Sequence, residues 1–418
     1  MASRRVRWRL WLRRMEPGWV LRRLRRLAEK WLRRWRRTDR QVVTLEPVGE
    51  QRGRVLFSYI LDPFLAASEE AIPYWHTNYW ESYTMAHAFA EAGYRVDCIS
   101  WTNHTFVPSQ AYDYLVDVRL NLQRLAPLVG EDTVKIFHID TGHHEFHNGA
   151  QDRRLQRIRD ERGARLRGRK RLEENLGIET ADCATVLGNG FTQGTYAFAR
   201  KPLFRIPISV PAQYPWPEDR DWQRARRRFL WFGSGGLVHK GLDLVLEAFA
   251  GMPELELVVC GPVGRERDFE EEFFEELYRT PNVHLEGWVD VAGGAFREIL
   301  ASCLAVVYPS CSEGGGGSVI SCMHGGLIPV VTPEASVDVS PGFGVILRRP
   351  TVEEIRSEAR ALAARPVEEL RTMARGAWEH AREHHTRPVF QREYRRFVQR
   401  LVRAEGKVPA ELAEAGQE

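Results

Sequence analysis

"LAVVYPSCSEGGGGSVISCMHGGLIPVVT" (residues 304–332) decides how the chain is read. "LAVVYPS" (304–310) has the composition of a strand buried on both faces. Four glycines follow Glu313, "SVISCMHGG" reads as a short helix, and "IPVVT" (328–332) reads as a second strand. Strand, turn, helix and strand make a βαβ unit, and hence a parallel sheet. The turn aims main-chain N–H groups and the positive end of a helix dipole outward. Its glycines let a bulky anion approach the backbone. Glu313 would repel a phosphate, so an acid at this spot makes sense if it accepts hydrogen bonds from neutral hydroxyls beside the anion. Hydroxyls next to phosphates describe a nucleotide sugar.

Working outward, the same alternation fills the chain from residue 53. In the first half, strands are expected at 54–60, 94–100, 112–118, 134–140, 183–189 and 203–209, with helices at about 78–92 and about 152–175. Three prolines and no apolar period make 210–228 a linker. Strands then recur at 229–234, 255–261, 283–287, 304–310, 328–332 and 344–349. Leu242, Val245, Leu246 and Phe249 form one helical face after Lys240. The tail "TRPVFQREYRRFVQRL" (386–401) starts a helix at a proline and buries Phe390, Tyr394, Phe397 and Leu401. The fold class is therefore α/β: two Rossmann-like doubly wound domains facing across a cleft. The first spans 53–209 and the second 229–385, and a C-terminal helix spans 386–404. Ligands of such sheets bind outside the carboxyl ends of the strands.

Of the 418 residues, the first 40 hold 16 Lys and Arg against 3 acids, so the net charge of +4 conceals a body at −9. The body thus lacks the footprint of a nucleic-acid binder, and no nucleic-acid partner is expected. Val20, Leu21, Leu24, Leu27, Ala28, Trp31, Leu32 and Trp35 form one stripe, with arginines opposite. Such a basic amphipathic helix, rich in tryptophan, suits an anionic membrane surface. A solvated helix packed on the body and an RNA-binding arm are the competing readings. No run is long and apolar enough to span a bilayer. Six scattered cysteines without a Cys-x-x-Cys pair indicate reduced thiols. The expected location is the cytoplasm, peripherally on the inner face of the membrane.

"YPSCSEGGGGSVISCMHGGLIPVVT" resembles the signature of retaining glycosyltransferases with the two-Rossmann (GT-B) fold, the group 1-like or family 4 enzymes. "FLWFGSGGLVHKGLDLVLEAF" (229–249) resembles the first strand, glycine loop and Lys-Gly helix start of their second domain. The resemblance implies that Glu313 orients donor hydroxyls. It also implies that Lys240 and the amides of Gly314, Gly315, Gly316, Gly317 and Ser318 hold a diphosphate, and that Gly235 and Gly236 belong to the donor loop. The chain departs from the pattern twice. The family's second glutamate, a ribose ligand, is Ser321 here, and its diphosphate-binding arginine is Gly235. Arg265 or Arg267 is a candidate replacement cation. Trp288, in "HLEGWVD", matches the family's aromatic turn near the nucleotide base.

"IFHIDTGHHEFHN" (136–148) gathers four histidines. A metal site, a plain polar loop and the acceptor side of a sugar-transfer site all remain open. The related transferases carry a histidine at this strand end, and His143 is the first choice, followed by His144 and His138. Tyr79 and Trp80 are read as core rather than sugar platforms. The implied reaction moves a sugar from a nucleoside diphosphate sugar to a glycan or lipid-linked acceptor with retention of configuration, in cell-envelope or exopolysaccharide synthesis. It needs neither metal nor cofactor. The alternative is a degenerate, non-catalytic relative that binds nucleotide sugars or glycans. A dinucleotide-dependent oxidoreductase lacks the evidence it needs, because no Gly-x-Gly-x-x-Gly follows the first strand of either half.

Overall fold

The computed structural model describes residues 40–74, 76–404 and 408. The expected arm helix lies outside the described residues.

The strands are β1 (Val42–Leu45), β2 (Gly53–Tyr59), β3 (Tyr94–Ser100), β4 (Tyr114–Asp117), β5 (Val134–Ile139), β6 (Cys183–Val186) and β7 (Leu203–Arg205), then β8 (Arg228–Phe232), β9 (Glu256–Cys260), β10 (Val283–Gly287), β11 (Ala305–Tyr308), β12 (Ile328–Val331) and β13 (Val345–Ile346). They form two sheets, in the orders β1-β3-β2-β4-β5-β6-β7 and β10-β9-β8-β11-β12-β13. Every pairing is parallel except β1 on β3. The central strands are buried on both faces, as Val55 to Phe57 and Ala305 to Tyr308 show. The strand order reverses between β2 and β4 and between β8 and β11. Each reversal opens a crevice at the strand ends, and the two crevices face one another.

Two expectations need correction. The basic helix begins earlier than its expected start and ends well before 175, running His144–Arg162 and stopping at Gly163, whose left-handed φ of 67° accepts the helix end. An extended strap follows it. The edge strand β1 was not anticipated either.

The His144–Arg162 helix is held to the second domain by charge. Arg157 binds Asp243 at 2.8 Å and Glu247 at 2.9 Å, and Arg162 binds Glu272 and Glu276 at 2.8 Å each. Below these pairs the strand-end loops of the two domains interlock. A β-carbon on Gly314 would land in the main chain of Asp140, and one on Gly142 would stand 2.9 Å from Ser312 Oγ. Asn189, which caps the Gly190–Gly194 helix, reaches across to the carbonyls of Pro333 and Val337 at 3.1 and 3.3 Å.

The linker is docked rather than loose. Tyr214 donates to the Val291 carbonyl at 2.7 Å, and the buried Arg220 guanidinium donates to the carbonyls of Leu300, Gly325 and Gly326. The chain crosses back after the Val367–His384 helix. The Arg387–Arg403 helix lays Phe390 on Trp80, Tyr394 on Phe89 and Phe397 on Phe204, all in the first domain. Both crossings run side by side, since His385 Nδ1 lies 3.1 Å from the Ile208 carbonyl.

Apolar packing, not charge, should hold the returning helix. Phe390→Ala should cost about 3–5 kcal/mol. Arg395→Ala, which breaks an exposed pair with Glu91, should cost roughly 1 kcal/mol or less. Denaturant midpoints of the two variants check the difference.

Candidate functional site

The crevices merge into one cleft of about 440 Å³ lined by both domains. From the second domain, the turn after β8 delivers Lys240, and the turn after β11 delivers Glu313. Gly241, at φ 73°, lets the Lys240 turn press against the Pro309 carbonyl. Lys240 Nζ then donates to Tyr308 Oη at 2.7 Å and to Glu313 Oε1 at 2.5 Å. Tyr308 and Ser310 hydroxyls donate to the same oxygen, at 3.0 Å each. Burial raises the Glu313 carboxyl, but Lys240, with His239 and Lys170, outweighs it and holds the group at about 2. Glu313 is therefore a carboxylate at neutral pH, an acceptor only. Burial and the neighbouring Glu313 push the Tyr308 phenol well above its ordinary range, so it stays a donor.

The first domain contributes Arg119 and Asp140, paired through both guanidinium arms, one at 2.7 Å. It also contributes Thr77, Ser209, His147 and Lys170. His147 and His239 meet across the domain boundary with ring centres 4.5 Å apart. His147 Nε2 donates to the Lys170 carbonyl at 2.6 Å, so its Nδ1 accepts from Ser312 Oγ at 3.0 Å. His239 Nε2 donates to the Ser312 carbonyl at 2.5 Å. Burial lowers both imidazoles, His239 to about 3, so they hold Ser312 as neutral rings.

Residues 219–360 match the family model described as "Glycosyl transferases group 1". The match covers most of the second domain and none of the first. Solved structures extend the likeness to the whole fold. Sucrose-phosphate synthase from Thermosynechococcus elongatus superposes with a TM-score of 0.56 at 14% identity, over 84% of this chain and all of that one. HepE from Anabaena, solved in complex with UDP and glucose, gives 0.54 at 12%, over 83% of this chain and all of that one. The two sheets are thus the two halves of a GT-B fold. The chain also matches S. aureus TarM at 13% identity with a TM-score of 0.47, over 67% of this chain but spanning only about half, 54%, of that protein. No curated protein matches the chain.

The group 1 pattern can now be laid on the geometry. Gly314 to Ser318 and Ser321 line the cleft together with Lys240 and Glu313. Ser321 donates its hydroxyl hydrogen to the Gly317 carbonyl at 2.8 Å, leaving only its lone pairs for a ligand. Gly235 and Gly236 do not line the cleft. The N–H groups of Gly236 and Leu237 donate to the buried carboxylate of Glu266, so those amides are already occupied. Arg265 lines the cleft and Arg267 does not. Trp288 is 58% exposed on the cleft wall, available for stacking rather than spent on packing. Trp80 is core, as expected.

None of the three candidate histidines lines the cleft. His138 sits within β5, buried, with Nδ1 2.7 Å from Thr185 Oγ1 on the neighbouring strand. His143 caps the His144–Arg162 helix and packs on Tyr196 and Phe198. With His144 it lines a separate cavity of about 430 Å³ in the first domain. The histidine of this stretch that reaches the cleft is His147, one helical turn on. Knowing that a helix begins at 144 would have found it. Asp140 could have been found by its place at a strand end. Arg119 has no signal in the sequence. Among the described residues, no three metal-ligating side chains come together.

Behind the cleft, buried Glu81 accepts from Ser209 N, Ser209 Oγ and Thr77 Oγ1, at 2.8, 2.9 and 3.2 Å. Burial prevails over these bonds and raises its carboxyl from 4.5 to about 7. The folded chain thus keeps a proton that the unfolded chain releases. Stability should fall as pH rises from 4.5 to 7 and level off above that, by about 3 kcal/mol in all. Glu81→Gln should remove this slope, and melting both proteins across that pH window checks it.

Proposed function

We propose that the chain is a glycosyltransferase that moves a sugar from a nucleoside diphosphate sugar to a glycan or lipid-linked acceptor, with retention of configuration. The observation that carries this reading is the Lys240–Glu313 pair beside the Gly314–Ser318 turn, in a cleft between two domains. The diphosphate would lie against the turn's amides and the start of the Gly317–His324 helix. Lys240 would share its protons between Glu313 and the diphosphate as the leaving group gains charge. All three bonds to Glu313 fall on Oε1, which leaves Oε2 to accept hydroxyls of the donor sugar. Both ionic groups belong to the protein, so this part of the chemistry needs no added cofactor. The acceptor hydroxyl would enter from the face the diphosphate leaves, and a diphosphate oxygen would take its proton.

The first-domain cavity supports an acceptor site. It shares Arg119, Asp140, Thr141 and Leu172 with the cleft, and it is lined by His143, whose buried Nε2 has no hydrogen-bond partner among the described residues. The degenerate reading draws on Ser321 and Gly235, where the usual acid and base are missing. One set of assays separates the two. The full chain should bind a nucleoside diphosphate and turn over its sugar. Glu313→Gln should weaken the nucleotide sugar but not the free diphosphate, whereas Lys240→Met should weaken both and lower kcat by about 10²–10³-fold. Diphosphate binding with no turnover of any sugar donor would favour the degenerate protein.

Residues 1–40, with five tryptophans and a 16-to-3 excess of basic over acidic residues, suit a place on an anionic, cytoplasmic membrane face, where lipid-linked glycans are extended. Deleting them should release the protein from anionic vesicles and leave nucleotide binding unchanged. Sedimentation with vesicles checks this, and continued co-sedimentation of the truncated protein would refute it.

A further inference from the structure

The strap after the His144–Arg162 helix carries "RLRGRKR" (165–171), a basic stretch that the donor site as described leaves without a role. It is tied down on both sides. On its own domain, Lys170 N donates to Gln151 Oε1 at 2.9 Å and its carbonyl accepts from His147. Asn148 brackets Leu172, giving and taking a hydrogen bond at 2.9 Å each. Toward the second domain, Arg167 N donates to Asp268 Oδ2 at 2.8 Å, and the Arg169 guanidinium pairs with the same carboxylate. The strap therefore holds Lys170 at a fixed place between the domains.

That place is beside Gly236, one residue on from the position where the family pattern has its arginine. The Lys170 side chain runs over Gly236, where a β-carbon would stand only 2.6 Å from Lys170 Cγ and 3.1 Å from Cε. Lys170 lines the same cleft wall as Lys240, Glu313 and Gly314 to Ser318. The charges facing it are Lys240, Glu313 and Glu266 from the second domain and Asp140 from the first. Glu313 is committed to Lys240, Asp140 to Arg119, and Glu266 to the amides of Gly236 and Leu237. Lys170 Nζ itself forms no hydrogen bond or ion pair with another described residue. A lysine aimed into a half-buried cleft without an anion calls for one from a ligand.

We propose that Lys170 is the second cation on the donor diphosphate, supplied by the first domain in place of the arginine that the family pattern puts at Gly235. This rests on the donor-site reading above. The diphosphate is then gripped from both sides, by Lys240 and the glycine turn of one domain and by Lys170 of the other. Loss of the nucleoside diphosphate removes the anion between two lysines that otherwise repel.

The test uses the full chain, calorimetric titration with UDP, GDP, ADP and CDP, and the parent nucleoside of whichever binds best. Lys170→Met should weaken the diphosphate about 10- to 100-fold and leave the nucleoside unchanged, with the ligand-free melting temperature held. Gly235→Arg in that background should restore most of the loss. A β-carbon at position 235 meets only Glu266 Oε1, at 3.3 Å, which a shift of a few tenths of an ångström in that carboxylate relieves. If Lys170→Met binds diphosphate as well as wild type while Lys240→Met does not, the Lys170 assignment falls and the donor site stands. Equal losses for diphosphate and nucleoside would also overturn it. A wild-type chain that binds none of the four diphosphates ends both.

Discussion

The structure turns on one contact, the main chain of Gly314 against the main chain of Asp140. It joins the loop after β11 to the loop after β5, so each domain forms part of the other's active crevice. No side chain fits between the two loops. This gives the glycine run after Glu313 a second purpose beyond admitting an anion, because close packing of the domains demands it as well. The neighbouring bonds, Ser312 Oγ to His147 and His239 to the Ser312 carbonyl, fix the loop one residue before Glu313. The acid's position is thus set jointly by both domains.

Around that contact the electrostatics are arranged in closed pairs. Lys240 with Glu313, Arg119 with Asp140, and Glu266 with two amides each satisfy their own charge. Closed pairs spare the cleft isolated ions, which are costly to desolvate, and leave Lys170 as the exception. They also keep Glu313 ionised through neutral pH, which suits a hydroxyl acceptor and not a proton donor. The two imidazoles remain neutral for the same reason of burial and serve as hydrogen-bonding struts.

Much of the fold was legible because fully buried parallel strands are short runs of β-branched and aromatic residues bounded by turns. "LAVVYPS" and "YRVDCIS" are examples. Lys240 and Glu313 were legible because each sits directly after such a strand, in a turn whose glycines mark a close approach. The His144–Arg162 helix was placed wrongly because its sequence has almost no apolar stripe. Arginines paired across the domain boundary hold it, and such pairs leave no helical period to read. His147 was hidden by the same error, since only a helix beginning at 144 separates it from His143. Lys170 was out of reach of any local pattern, because its meaning depends on Gly236, in another domain.

The two passages between domains, near Ile208 and His385, lie bonded side by side. A body tethered at two adjacent points has one easy motion, swinging about the line through them, with sliding and twisting resisted. Such a swing would part the Gly314 and Asp140 loops like the jaws of a clothes peg. The aromatic seat of the Arg387–Arg403 helix would ride along undisturbed on the first domain, as the spring does.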